Sequence, residues 1–205
     1  MTSVAWGSPP PSGDEVASSG DGVTSSPDPV ADWLADAALA ACRGRRLVVL
    51  IDGRSGAGKT TLAARLTVRL SRRCGRPVQL VSLDDCYPGW DGLAAAAAMM
   101  PQLLGQEQPG YRRFDWARNQ PAEWVTLSPT DPLVVEGAGC LTPASAVLAC
   151  LRVWVDADET ARKTAALARD GATFAPHWDE WAAQEEAHIE ANHPDELADV
   201  TLGDR

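Results

Sequence analysis

Gly53, Arg54, Ser55, Gly56, Ala57, Gly58, Lys59, Thr60 and Thr61 follow one another without a break, and Gly53, Gly58, Lys59 and Thr60 meet the spacing G-x-x-x-x-G-K-[ST]. The chemistry such a row can do is to hold phosphates. Glycine admits positive φ and lets backbone N–H groups come close to an anion, and a helix beginning at Lys59 would aim its positive end at the same point. Lys59 brings a point charge to the β- and γ-phosphates of a nucleotide such as ATP, and the Thr60 hydroxyl is a hard oxygen ligand of the kind Mg²⁺ prefers. Of the 18 Lys and Arg residues only Lys59 and Lys163 are lysines, so a lysine here departs from the chain's habit of using arginine. The same residues could form a glycine-rich turn that binds nothing. The apolar run before them, and the Leu62, Leu66, Leu70 spacing after them, favour the phosphate grip.

Phosphoryl transfer is mostly positioning and charge: a cradle for the phosphates, Mg²⁺, cations over the group in transit, and something to orient the nucleophile. Asp84 closes the apolar run 78–83, and Glu136 closes the run 132–135. Asp84 is the candidate base for an acceptor hydroxyl and a candidate metal contact. Glu136 is placed to hold Mg²⁺ through water, together with Thr60, while Arg162 and Arg169 can supply positive charge to the transition state. An Asp-Asp pair can instead cap a turn, a part that suits Asp85 better than Asp84. Tyr87 and Trp90 are either stacking platforms for a substrate or anchors of their own loop. Trp178 and Trp181 are expected in the core. Glu185 and His188 have the i,i+3 spacing of a metal pair, but without a second such pair they read as a solvated helix face. Arg112-Arg113 reads as part of a polar loop, and His177 and His193 have no partner legible in the sequence.

Periodicity supplies the elements that must position these groups. Buried strands are expected at 46–51, 78–83, 132–137 and 151–156, with a last short one at 198–202. Asp28-Pro29 opens a helix with an apolar stripe of Val30, Trp33, Leu34, Ala37, Ala38 and Ala41. Further helices are expected from Lys59 to the Gly75-Arg76-Pro77 break, over 93–104, 143–150 and 158–170, and from Pro176 to about His193. Residues 105–130 read as a long irregular excursion holding Tyr111, Phe114, Trp116 and Trp124. Strands alternating with helices imply an α/β fold whose parallel sheet carries helices on both faces. Ligands of such sheets lie beyond the carboxyl ends of the strands, which gathers residues 53–60, Asp84, Asp85 and Glu136. Residues 1–27, rich in Ser, Pro, Gly and Asp, read as a disordered tail ahead of a single domain, 28–205.

The net charge of -10 argues against a nucleic-acid surface. Five cysteines without C-x-x-C spacing suggest neither a disulfide framework nor a zinc site, and fit reduced thiols. No stretch approaches a membrane span, and the N-terminus lacks the features of a secretory signal, so a soluble cytoplasmic protein is expected. Oligomeric state is not legible.

Asp52-Gly53-Arg54-Ser55-Gly56-Ala57-Gly58-Lys59-Thr60-Thr61-Leu62, then Leu83-Asp84-Asp85-Cys86-Tyr87, then Val134-Val135-Glu136-Gly137, resemble the uridine kinase-like branch of the P-loop kinases over about residues 46–202. The resemblance implies a P-loop NTPase fold, ATP as phosphoryl donor with Mg²⁺, and a small-molecule acceptor, with no nucleic acid or membrane partner. It implies that Asp84 is base and metal contact and that Tyr87 lies near a nucleobase. Asp84-Asp85 is equally similar to the D-D-F of nicotinamide riboside kinases. Phe114-Asp115-Trp116 resembles the start of the family's pyrimidine-recognition segment, which makes Phe114 and Asp115 candidate substrate contacts beside Trp90. Asn119 and Pro121 fall where that segment has a His and an Arg; the family's lid helix carries an arginine series, of which Arg162 and Arg169-Asp170 remain, while Ala165 and Ala166 replace a basic pair. The expected activity is ATP-dependent phosphorylation of a hydroxyl, a nucleoside's being the leading choice. The alternatives are a regulatory protein that binds or slowly hydrolyses ATP, and a nucleoside monophosphate kinase, for which Arg112, Arg113 and Arg118 are a sparse arginine set.

Overall fold

The computed structural model describes residues 28–203, so the expected tail lies outside the described residues. Five strands, β1 (Val48–Asp52), β2 (Gln79–Ser82), β5 (Leu133–Glu136), β6 (Leu151–Val155) and β7 (Val200–Leu202), form one sheet in the order β2-β5-β1-β6-β7. Every pairing in it is parallel. The central β1 is buried along its whole length, as its unbroken aliphatic run requires. Alternation divides it between two cores. Val48 and Leu50 face one side with Val81, Val135, Met100 and Leu103, while Val49 and Ile51 face the other with Leu34, Leu66, Leu70, Val134 and Val153.

The second side is covered by α1 (Pro29–Cys42) and α2 (Lys59–Cys74). Asp28 caps α1 by accepting from the Ala31 N–H at 3.1 Å. Its buried face is Ala31, Leu34, Ala35, Ala38 and Cys42, turned from the expected stripe so that Trp33 is exposed. A face of alanines lets the helix approach α2 closely, and ion pairs from Asp32 to Arg69 and Arg73 and from Asp36 to Arg73 fasten its rim. The first side carries α3 (Leu93–Leu104), the short α4 (Pro143–Ala146), α5 (Glu159–Phe174) and α6 (Trp178–Asn192), and a single turn, α7 (Pro194–Leu197), precedes β7. Helix α5 is kinked at Gly171 (φ 56°, ψ -134°), the residue after Asp170, where the helix was expected to end, and it continues to Phe174.

The 105–130 excursion contains an antiparallel hairpin, β3 (Gly110–Asp115) with β4 (Gln120–Thr126), turning through Asn119 at φ 49°. Strand β4 has no buried position and includes Pro121, so it lacks the alternation by which strands announce themselves in sequence. All five cysteines are free; Cys42, Cys86, Cys140 and Cys150 are buried and Cys74 is half-buried. Among the described residues no helix is long and apolar enough to cross a membrane.

Candidate active site

At the carboxyl end of β1 the buried Asp52 carboxylate accepts from the N–H groups of Gly53 (2.7 Å), Gly139 (3.1 Å) and Leu141 (2.7 Å). One side chain thereby fixes both the start of the phosphate loop and the turn after β5. A Cβ on Gly53 would lie 2.1 Å from the Val155 carbonyl oxygen, and one on Gly56 would lie 2.1 Å from that of Arg162, so glycine is required at both places. Gly58, at φ 94°, is the N-cap from which α2 departs. Lys59 folds back over the loop, its Nζ donating to the Arg54 carbonyl at 2.9 Å.

The Glu136 carboxylate at the end of β5 accepts from Thr60 Oγ1 at 3.2 Å and Ser82 Oγ at 2.6 Å. Burial raises its pKa above the ordinary 4.5, against the lowering pull of the Ser82 hydrogen bond and the Lys59 charge. Residues 83–85 form a turn of 3₁₀ helix beyond β2, capped by Ser82 Oγ at 3.4 Å from the Asp84 N–H, so the capping part expected of Asp85 belongs to Ser82. Asp84 is exposed, with Arg169 Nη2 3.8 Å from its Oδ2. Among the described residues no three His, Cys, Asp or Glu side chains form a metal cage. Glu136, with its two hydroxyl neighbours, is the kind of sparse oxygen set that suits a Mg²⁺ carried in on phosphates.

A cavity of about 580 Å³ opens beside the loop, reaching Ser55, Asp84, Asp85, Tyr87, Trp90 and Arg169. Trp116, Asn119, Asp170, Thr173, Phe174 and Trp181 complete its walls, and none of these six was singled out as a substrate contact. Its aromatic side is one connected stack. Trp90 lies 4.8 Å from Trp116 and 5.7 Å from Phe174, centroid to centroid, and His177 stacks on it at 4.1 Å, the partner its sequence did not reveal. Trp116 Nε1 also donates to the Asp84 carbonyl at 2.8 Å, tying the hairpin to the strand tip. Tyr87 edges the cavity but is buried, donates its hydroxyl to the Ala138 carbonyl at 2.8 Å and meets Trp181 edge-on at 4.7 Å, so it anchors its loop.

Three expectations need correction. Phe114 and Asp115 do not line this cavity: Phe114 is buried edge-on to Trp116, and Asp115 closes the hairpin turn by accepting from the Arg118 N–H at 3.0 Å and its guanidinium at 2.9 Å. Arg162 is buried, and its guanidinium donates to the carbonyls of Ala157 (3.1 Å) and Ser55 (3.2 Å), bracing the phosphate loop. Glu185 and His188 are not on a solvated face. Glu185 Oε1 accepts from the Ser55 N–H at 2.7 Å and Trp181 Nε1 at 3.2 Å, and His188 Nε2 lies 3.4 Å from Asp52 Oδ2. The inward spacing Trp181, Glu185, His188 was the available signal.

Two other concavities flank the site. One of about 440 Å³, behind the loop, is bordered by Gly58, Thr61, Arg65, Asp156, Leu202 and Gly203. Another, of about 520 Å³ between α3, α4 and α6, is walled largely by alanines and prolines and has no carboxylate.

No family model matches the chain, and no curated protein matches it. Solved structures do. A possible uridine kinase from Bacillus stearothermophilus superposes with a TM-score of 0.60 and 23% identity, covering 84% of this chain and 96% of that one. A protein provisionally named as a fructose transport system kinase, from Silicibacter sp. TM1040, superposes with a TM-score of 0.54 and 19% identity, covering 84% and 98%. The fold is therefore the P-loop α/β fold that the resemblance implied.

Proposed function

We propose that this chain is an ATP- and Mg²⁺-dependent kinase that transfers the γ-phosphate to a hydroxyl of a small molecule, a nucleoside being the leading choice of acceptor. The observation that carries this reading is the placement of Asp84 between two compartments, a glycine-built phosphate loop on one side and an aromatic cavity on the other. A regulatory nucleotide switch has no need of the second compartment.

In this reading the phosphates of ATP lie on the N–H groups that follow Gly56, under Lys59, and the nucleoside part occupies the 440 Å³ groove behind the loop. Glu136 and Thr60, with Asp84, would hold Mg²⁺, which when bound offsets charge on the phosphate oxygens. The acceptor lies against Trp90, Trp116 and Trp181 with one hydroxyl at Asp84. The Asp84 carboxylate takes the hydroxyl proton as the oxygen bonds to the γ-phosphorus and the bond to the bridging oxygen of ADP breaks. Arg169, already beside Asp84, provides the positive charge expected of Arg162 and Arg169 together, since the Arg162 guanidinium is held by the Ala157 and Ser55 carbonyls.

A phosphorylated acceptor is a poor fit. Arg112 is engaged with the Ala122 carbonyl, Arg113 with Glu123 and Arg118 with Asp115, all within the hairpin. The test is ATP consumption across nucleosides, nicotinamide riboside, pantothenate and sugars. Stimulation by an unphosphorylated alcohol supports the kinase, and no stimulation by any of them favours the regulatory alternative.

A further inference from the structure

We propose that α6 joins the nucleotide and acceptor subsites into one coupled unit, with Trp181 and Glu185 as the positioning residues that carry the coupling. The proposal rests on the functional reading above, because it requires a nucleotide on the phosphate loop.

Trp181, Gln184, Glu185 and His188 share one face of α6. At one end of that face Trp181 walls the aromatic cavity, and Gln184 Nε2 donates to the Trp90 carbonyl at 2.7 Å, so the helix fixes two of the cavity's rings. Next along it, a single oxygen, Glu185 Oε1, accepts from both the Trp181 indole N–H and the Ser55 backbone N–H. A cavity wall and the backbone of the phosphate loop therefore share one acceptor atom. Glu186 pairs with Arg54, and His188 faces Asp52, so the chain from Asp52 to Ser55 rests on this helix. The Ser55 carbonyl is held from the opposite side by Arg162 of α5, the helix that also gives Arg169, Asp170 and Phe174 to the cavity.

Glu185 is buried, and a buried carboxylate that loses a donor must find another or move. An acceptor resting on Trp181 restrains the indole, hence the carboxylate, hence the Ser55 peptide. A loop already restrained costs less to order around phosphates, so each ligand favours the other. The coupling is reciprocal by linkage.

The test is a double-substitution cycle read by calorimetric titration with Mg²⁺·ADP, a probe whose binding needs no acceptor. Trp181→Phe keeps an aromatic wall but removes the indole N–H, and is expected to weaken ADP about threefold to fivefold, with Glu185→Ala weakening it about tenfold. Glu185→Gln keeps an oxygen for both donors and should stay within about twofold of wild type. The double variant should match Glu185→Ala alone, because Trp181 acts through Glu185. Unchanged ADP affinity in Trp181→Phe, or additive losses in the double variant, overturns the coupling and leaves the kinase reading standing. A wild-type chain that does not bind ADP overturns both. Should Glu185→Ala fail to fold, Trp181→Phe decides alone.

Discussion

The Lys59 ammonium, held across the loop by the Arg54 carbonyl, and the exposed Asp84 carboxylate beyond β2 divide the proposed labour between phosphate and acceptor. Lys59→Ala is expected to lower turnover by about 10²- to 10³-fold, the scale of losing one preorganised charge at a reacting centre. Asp84→Asn should leave ADP titration unchanged and lower transfer by about 10²- to 10⁴-fold; a variant with full activity would remove Asp84 from the role of base. Glu136 makes a prediction about pH. Its carboxyl is raised above 4.5 in the folded chain, chiefly by burial, so the folded state binds that proton more tightly than the unfolded state does. The stability this contributes is present in acid and lost as pH rises through the raised value. In metal-free thermal melts, Glu136→Gln should therefore gain on wild type at neutral pH and lose that advantage below about 4.5; a difference that does not change with pH contradicts the assignment.

Among the elements, those whose side chains report burial directly were legible. β1, β5 and β6 are aliphatic because the sheet buries them, while β2, at the edge of the sheet, buries only Val81, and Gly53 and Gly56 are glycines because a Cβ would collide with Val155 and Arg162. The β3–β4 hairpin was not legible, since an exposed two-stranded ribbon needs no alternation, yet it delivers Trp116 and Asn119 to the cavity. Nor was the inward turn of Glu185 and His188: a charged residue reads as solvated until a buried backbone N–H is found for it to accept from. The kink in α5 lies between Arg169-Asp170 and Phe174, all of which border the cavity. Gly171 has open space around its Cα, so Gly171→Ala would meet no clash and only the backbone penalty of its φ and ψ, about 1–3 kcal/mol. Its expected effect is a raised KM for the acceptor with ADP affinity unchanged, measured by steady-state kinetics and calorimetry; an equal loss of both would show the kink to be general scaffolding.

For the molecule as a whole, the strands all point their carboxyl ends at one rim, and loops from five parallel strands share the work of building it. Binding there should be felt throughout a fold of this size. At a concentration near 100 times its dissociation constant, Mg²⁺·ADP should add about 2.7 kcal/mol, which is about 5–10 °C in the melting midpoint. Scanning calorimetry with and without nucleotide checks this, and Lys59→Ala supplies the control in which the shift should shrink.

The distribution of thiols has a practical side. Cys42, Cys86, Cys140 and Cys150 are buried, and desolvation raises the thiols of Cys42, to about 12, and of Cys86 and Cys140. Cys74, half-buried, ends α2, the helix whose other end is Lys59. The sixteen-residue helix, rising 1.5 Å per residue from the first to the last, puts about 22 Å between them. A maleimide dye added to the native protein should therefore attach once per chain, at Cys74, and mass spectrometry should find all five thiols modified only after unfolding. The fold thus carries its own attachment point for a fluorescent reporter, rigidly joined to the phosphate loop yet remote from it.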